Sequence, residues 1–322
     1  MQLIYTHTDF DGVVSASLIS LATRIDFIRF VSTARIWYEP FTGEEIVCDL
    51  PCPWNCRLWF DHHESNLNEM KSRGIDVAKL EGKFELAKSC AQIIYEYYKD
   101  TVAFPSYFPS LIEDTNMIDS MDYDSIEKWR EETSSKILAA TCQMLPNEDY
   151  RSFISYLIKL SKELRKTGPE KMITFSDVKH RYETLKIRED QSIEMIKNAY
   201  YFHPSDNKHE LVIIDMSESK MPPRIDKNLV YLIEPQALCV LLINAQFKDN
   251  KKTNDLKFSV GINFTKKDIL EKKHLASIFE KLGIGGGHKQ AAGAIIKCHS
   301  KEERLNRKEK FIKEFLGMWR DQ

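Results

Sequence analysis

No apolar run in this chain reaches the length of a membrane-spanning helix, and no basic-then-apolar leader opens it, so neither a membrane anchor nor an export signal is expected. An excess of one charge sign is also missing. The 46 Lys and Arg are balanced by 48 Asp and Glu, for a formal net charge of −2. That excludes a global field drawing the protein along nucleic acid or onto an anionic bilayer. Any nucleic-acid partner is therefore expected to be short, gripped in a local pocket rather than on a basic track. The seven cysteines are odd in number and none sits in a CxxC pair. Cys48, Cys52 and Cys56 match no structural-zinc spacing and are interrupted by Pro51 and Pro53, so reduced, buried or incidental thiols are expected. A cytoplasmic protein is the reading these absences leave.

What is present is ordinary globular composition, 43% hydrophobic and 29% charged over 322 residues, which is more than one domain usually holds. Leu3–Thr6 reads as a strand, and the apolar residues after Gly12 recur at helical spacing. Further strands are expected at 27–31, 45–48 and 57–60, with a helix near Ala87–Tyr98. This alternation predicts an α/β fold whose N-terminal domain, residues 1–148, is a doubly wound parallel sheet. Residues 149–207 read as a helical connector broken at Gly168-Pro169. A smaller C-terminal α/β domain, 208–322, is expected to carry strands at 211–214, 229–233, 256–260 and 294–296 and a closing amphipathic helix, Lys301–Trp319.

The chemistry gathers at strand ends. The first strand runs into His7-Thr8-Asp9-Phe10-Asp11-Gly12, and in extended backbone His7, Asp9 and Asp11 would share one face. The strand Ile46-Val47-Cys48 meets Asp49, and Leu58-Trp59-Phe60 meets Asp61-His62-His63. One Asp after a strand is commonly only a turn or cap residue. Three such ends, two with histidine, are expected to converge in the crevice where open α/β sheets bind ligands. Carboxylates crowded there repel unless a cation lies among them. Mixed carboxylate and imidazole donors suit manganese, iron or zinc better than calcium, with manganese ahead of magnesium.

His7-x-Asp9-x-Asp11-Gly12, Asp49 and Asp61-His62-His63 together resemble the DHH phosphoesterase superfamily. Gly285-Gly286-Gly287-His288-Lys289-Gln290-Ala291-Ala292-Gly293 resembles that family's DHH-associated C-terminal domain, so the likeness spans most of the chain. The resemblance implies that His7, Asp9, Asp11, Asp49, His62 and Asp119 hold two divalent cations, manganese before magnesium, cobalt or zinc, with Asp49 and Asp119 bridging. Asp119 comes from Ser110–Ser120, the stretch matching a fourth motif, in which Asp114 is the alternative. Adjacent extended residues face opposite ways, so His62 is assigned to metal and His63 to a phosphoryl oxygen, with Asp61 orienting a ligand from behind. Gly286, Gly287 and His288 are implied to grip the substrate's remote phosphate or base.

Two departures concern substrate. The stretch Lys257–Asn263 lacks the arginine many relatives that cut very short RNA carry, and position 284 is Ile rather than Gly. The expected activity is hydrolysis of phosphodiester or phosphomonoester bonds in short nucleotides: nanoRNA, dinucleotides or 3′,5′-bisphosphate nucleotides. An exopolyphosphatase or pyrophosphatase on the same metal core, and a non-catalytic nucleotide sensor, are the alternatives. A long nucleic-acid partner is not required, and a homodimer is left open. Tyr123 and Trp129 are read as core or rim packing before base stacking.

Overall fold

The computed structural model describes residues 2–221, 225–248 and 251–322. They gather in two compact units, one holding the residues up to Asp122 with Glu131–Lys186, the other Tyr123–Arg130 with the residues from Ile187 onward.

The first unit opens with β1 (Ile4–Thr6), α1 (Phe10–Thr23), β2 (Ile28–Phe30), β3 (Ile46–Cys48) and β4 (Leu58–Asp61). It continues through α2 (Glu64–Ser72), β5 (Gly82–Phe84), α3 (Cys90–Tyr98) and α4 (Phe108–Asp119). The strands pair in the order β2-β1-β3-β4-β5, every pair parallel. Such a sheet must be covered on both faces, and the side chains alternate accordingly. Ile4, Ile46, Cys48 and Phe60 join a core with α1, α3 and α4, whereas Tyr5, Val47 and Trp59 pack the other face with Leu50 and Met70. The doubly wound parallel sheet read from the sequence is therefore present. Its short fifth strand, centred on Lys83, carries no apolar alternation and was not legible beforehand.

α5 (Ile126–Arg130) belongs to the second unit, and α6 (Ser134–Thr141), α7 (Tyr150–Leu164) and α8 (Pro169–Met172) to the first; α9 (Ser176–Ala199) begins in one unit and ends in the other. Between α7 and α9 the chain turns at Gly168-Pro169, Gly168 being the N-cap residue of α8 and Pro169 occupying its first turn.

The second unit contains β6 (Tyr200–Phe202), β7 (Leu211–Met216), β8 (Cys239–Lys248), β9 (Lys251–Ile262), α10 (Lys267–Lys272), α11 (Leu275–Lys281), β10 (Gly286–Gly287), β11 (Ala291–Ile296) and α12 (Lys301–Arg320). Its mixed sheet has the order β10-β11-β9-β8-β7-β6, with only β7 and β8 parallel. The expected strand at 229–233 is not one. Lys227–Leu232 is a 3₁₀ helix whose Asp226 caps the Asn228 amide, and the place beside β7 is taken by β8. A short apolar run cannot be told apart by periodicity alone. The aromatic rings of Phe258, Phe279, Phe311, Phe315 and Trp319 form the core beneath the sheet. Tyr123 and Trp129 pack edge-on against Phe264.

Gly12 fixes the exit from β1. A Cβ there would lie 2.2 Å from the His7 carbonyl oxygen, a backbone atom that cannot swing aside. Gly12→Ala is expected to destabilise the protein by about 2–3 kcal/mol through forced displacement in a packed core, read from the urea midpoint. A variant as stable as the parent would show that this close approach carries no weight.

Candidate metal centre

The chain runs from β1 out to β2 and then returns to place β3 on β1's other side. Between β1 and β3 the direction of winding reverses, which opens a crevice at the carboxyl ends of the two strands. His7 and Asp49 follow those two ends directly.

Asp9 is the N-cap of α1, its Oδ1 accepting from the Gly12 amide at 2.8 Å, while His7 Nδ1 lies 2.5 Å from Asp9 Oδ2. Asp11 is not extended backbone. It lies in the first turn of α1, so His7, Asp9 and Asp11 converge through a strand–cap–helix turn rather than through the alternation read from the sequence. Asp11 is buried and accepts the Cys90 amide at 2.7 Å and the Ala91 amide at 2.8 Å, both from the start of α3. The positive end of that helix thus steadies the carboxylate.

Asp49 has a left-handed backbone, φ 59°, which turns its carboxylate into the crevice. Asn and Asp tolerate this conformation better than other side chains with a Cβ. Its side chain is 1% exposed, and among the described residues neither oxygen has a hydrogen-bond donor. Around it stand His62 Nε2 at 3.6 Å, His63 Nδ1 at 3.5 Å and His7 Nδ1 at 3.9 Å.

Asp61 is fully buried at the end of β4. Its Oδ1 accepts the His62 amide at 2.8 Å, the His63 amide at 3.1 Å and His63 Nδ1 at 3.0 Å, and Oδ2 accepts Asn66 Nδ2 at 2.8 Å. Held by these four donors, Asp61 acts as a bracket for the turn. His62 donates from Nδ1 to the Ala87 carbonyl at 3.1 Å, leaving Nε2 as the bare acceptor nitrogen. That atom is buried, has no hydrogen-bond partner, and lies 3.4 Å from Asp119 and 3.7 Å from Asp11. The expectation that His62 and His63 face opposite ways does not hold: their ring centroids are 4.0 Å apart. The strand ends at Asp61, and His63 already sits at the N-cap of α2, where strand alternation no longer applies.

Asp119, the last residue of α4, reaches the cluster, whereas Asp114, earlier on the same helix, joins none of the potential metal groups found among the described residues. Three such groups occur, each with donor atoms within 4.8 Å of one another: His7, Asp9 and Asp49; Asp11, His62 and Asp119; and Asp49, His62 and His63. Asp49 and His62 each belong to two of them. The partners that pin these donors, the Cys90 and Ala91 amides, the Ala87 carbonyl and Asn66, were missed by sequence reasoning; only Ser89, the N-cap of α3, left a legible signal.

The electrostatics fit a cationic occupant. Burial, reinforced by Asp9, Asp11, Asp119 and Asp61, raises the Asp49 pKa well above the ordinary carboxyl range. Burial and repulsion from Asp11 and Asp9 push Asp119 to about 8. Such groups are costly without a counter-charge. Mixed carboxylate and imidazole donors are those of a first-row divalent metal site.

In the second unit, Gly286 and Gly287 line a groove of about 580 Å³, together with Lys227 and Lys257. His288 is exposed just beyond it, its amide donating to the Ala291 carbonyl at 2.7 Å.

Comparison of the sequence with protein-family models gives no match. No curated protein matches it either. Solved structures do resemble it. A pGpG-specific phosphodiesterase, PggH from Vibrio cholerae, is 21% identical with a TM-score of 0.76, over 98% of this chain and 99% of that one. An exopolyphosphatase-related protein from Bacteroides fragilis is 11% identical with a TM-score of 0.53, over 99% of this chain and 93% of that one. RecJ from Thermus thermophilus, solved with Mn2+, is 11% identical with a TM-score of 0.54, over all (100%) of this chain and 52% of that one. The chain has the two-domain DHH fold.

Two outcomes are expected from the buried carboxylates. In metal-free protein Asp49→Asn replaces a buried carboxyl whose ionisation is disfavoured and should melt no lower than the parent, while the rise of roughly 5 °C expected on adding Mn2+ to the parent should vanish. A variant that melts lower yet keeps the rise would refute the assignment. Asp119 has a raised pKa, so its contribution to metal-free stability is complete below 3.8 and is lost as pH climbs through about 8. Thermal melts with chelator should therefore decline over that interval, and Asp119→Asn should flatten the decline. An unchanged slope would contradict the burial of this group.

Proposed function

We propose that this chain is a two-metal phosphoesterase that hydrolyses phosphoester bonds in short nucleotides. The observation carrying this reading is Asp49, whose two buried oxygens lack any donor and which lies between His7 and Asp9 on one side and the histidines of the β4 turn on the other. His7, Asp9 and Asp49 would hold one cation and Asp11, His62 and Asp119 the second, with Asp49 standing between the two sets of donors. Manganese is the expected metal, before magnesium, cobalt or zinc. Such a pair, when bound, supplies an activated water and offsets charge at phosphorus.

The chain's own residues do the rest. His63 is fastened through Nδ1 to Asp61, so its Nε2 is the donor left for a phosphoryl oxygen. Burial works against charge on His63, but the hydrogen bond to Asp61 and the surrounding carboxylates override it and raise its pKa. Asp61, held by four donors from the chain, is assigned to orient rather than to ligate. In the second unit the glycine run permits close backbone approach by an anionic group, so Gly286, Gly287 and His288 are assigned to the substrate's remote end.

Short nucleotides are favoured as the substrate because the fold neighbour of highest TM-score quoted above is a pGpG-specific phosphodiesterase. The exopolyphosphatase-related neighbour supports polyphosphate as the second reading. An exonuclease-like attack and a cytoplasmic location belong to the same proposal. Among the described residues no helix is long and apolar enough to cross a membrane.

The test offers manganese-loaded protein a 5′-phosphorylated dinucleotide and polyphosphate side by side. Turnover of the dinucleotide at least ~10-fold faster, lost on chelation and reduced at least ~100-fold in His63→Ala, is expected. Faster release of phosphate from polyphosphate would reverse the order, and binding without turnover under any divalent metal would leave only a sensor.

A further inference from the structure

The groove of the second unit is built from one face of the sheet. Lys257, Ser259 and Gly261 alternate onto that face of β9, opposite Ile295, Gly293 and Ala291 of β11, while Leu256, Phe258 and Val260 point into the core. Ser259 thus faces a glycine, and the floor of the groove is nearly bare of side chains. One side chain from elsewhere occupies the bareness. Lys227, at the start of the 3₁₀ helix, passes over Gly261, where a Cβ would stand 2.7 Å from its Cε. Its ammonium donates to Ser259 Oγ at 3.1 Å.

Two facts make this lysine unlike a surface charge. Among the described residues it forms no ion pair, its hydroxyl contact with Ser259 being its polar partner. Burial draws its pKa down, Asp226 pulling the other way and the nearby Lys257 adding to the fall. No carboxylate lines the groove. A half-buried cation beside a second cation, on a floor cleared for it and with no ion pair among the described residues, wants an anion. The stretch of β9 has no arginine, so the positive charge is delivered here from a different element.

We propose that Lys227, with Ser259, binds the phosphate of the nucleotide substrate that is not cleaved, and so sets a preference for a terminally phosphorylated dinucleotide over the same dinucleotide lacking that phosphate. This rests on the phosphoesterase reading above. Phosphates are the anionic groups a nucleotide offers, and the scissile one belongs to the metal centre, which leaves the terminal one for the lysine. A charge-assisted hydrogen bond of this kind is worth about tenfold or more in affinity.

The experiment uses the full chain loaded with manganese, diadenylate with and without a 5′-phosphate, and the variants Lys227→Gln and Lys227→Arg, each checked for an unchanged melting temperature. The parent is expected to favour the phosphorylated form by about tenfold in kcat/KM, chiefly through KM. Lys227→Gln should bring the two forms within about threefold, and Lys227→Arg should keep most of the preference. Separately, metal-free parent protein is treated with acetic anhydride in the presence of adenosine 5′-monophosphate or adenosine, and acylation of Lys227 is read by mass spectrometry. Protection by the monophosphate alone is expected. A parent indifferent to the terminal phosphate, a Gln variant with undiminished preference, or equal labelling under both ligands overturns the proposal. Absence of turnover with either dinucleotide would instead defeat the phosphoesterase reading, and the labelling would still decide the role of Lys227.

Discussion

The first unit is organised around negative charge held where water cannot relieve it. Asp11, Asp49 and Asp61 are all buried in one crevice, with Asp9 and Asp119 beside them. Each is dealt with differently. Asp61 is held by two amides, a histidine and an asparagine, and Asp11 by the first amides of α3. Asp49 receives no donor at all. That gradation divides carboxylates that shape the site from one that is reserved for something external.

Geometry gives the gradation its direction. A parallel sheet brings strand ends to one edge, and the reversal of winding between β1 and β3 leaves that edge uncovered by a crossover. The histidines are tuned in the same way: the Ala87 carbonyl selects the tautomer of His62, and Asp61 selects that of His63. The groove of the second unit presents the complementary problem, cations with no carboxylate among the described lining residues, on a sheet face stripped to Ser, Gly and Ala. Anion-repelling and anion-seeking surfaces thus coexist in a chain whose net charge is −2, which is why whole-chain composition said nothing of either.

Much of this was legible beforehand. Strand ends rich in Asp and His announce themselves because a short apolar run stops abruptly at a charge, and the helix end at Asp119 that lies beside them was singled out by its motif. What could not be read was the backbone between. The left-handed turn at Asp49, the capping place of His63 and the helical place of Asp11 all break the period-two alternation on which sequence reasoning leaned. Leu229–Ile233 failed as a strand because an apolar segment of that length fits a buried 3₁₀ turn equally well, and β8 went unrecognised because burial on both faces erases its alternation. Lys227 left no signal, since the vacancy it fills is made by Gly261, remote in sequence.

The path of the chain has its own consequence. It leaves the first unit after Asp122, returns at Glu131 and leaves again after Lys186. Neither unit is therefore a single stretch of polypeptide. During synthesis Tyr123 and Trp129 emerge well before Phe264, the ring they pack against. A ribosome would have to release Phe264 before that short excursion finds this seat, and no single proteolytic cut separates the two units cleanly.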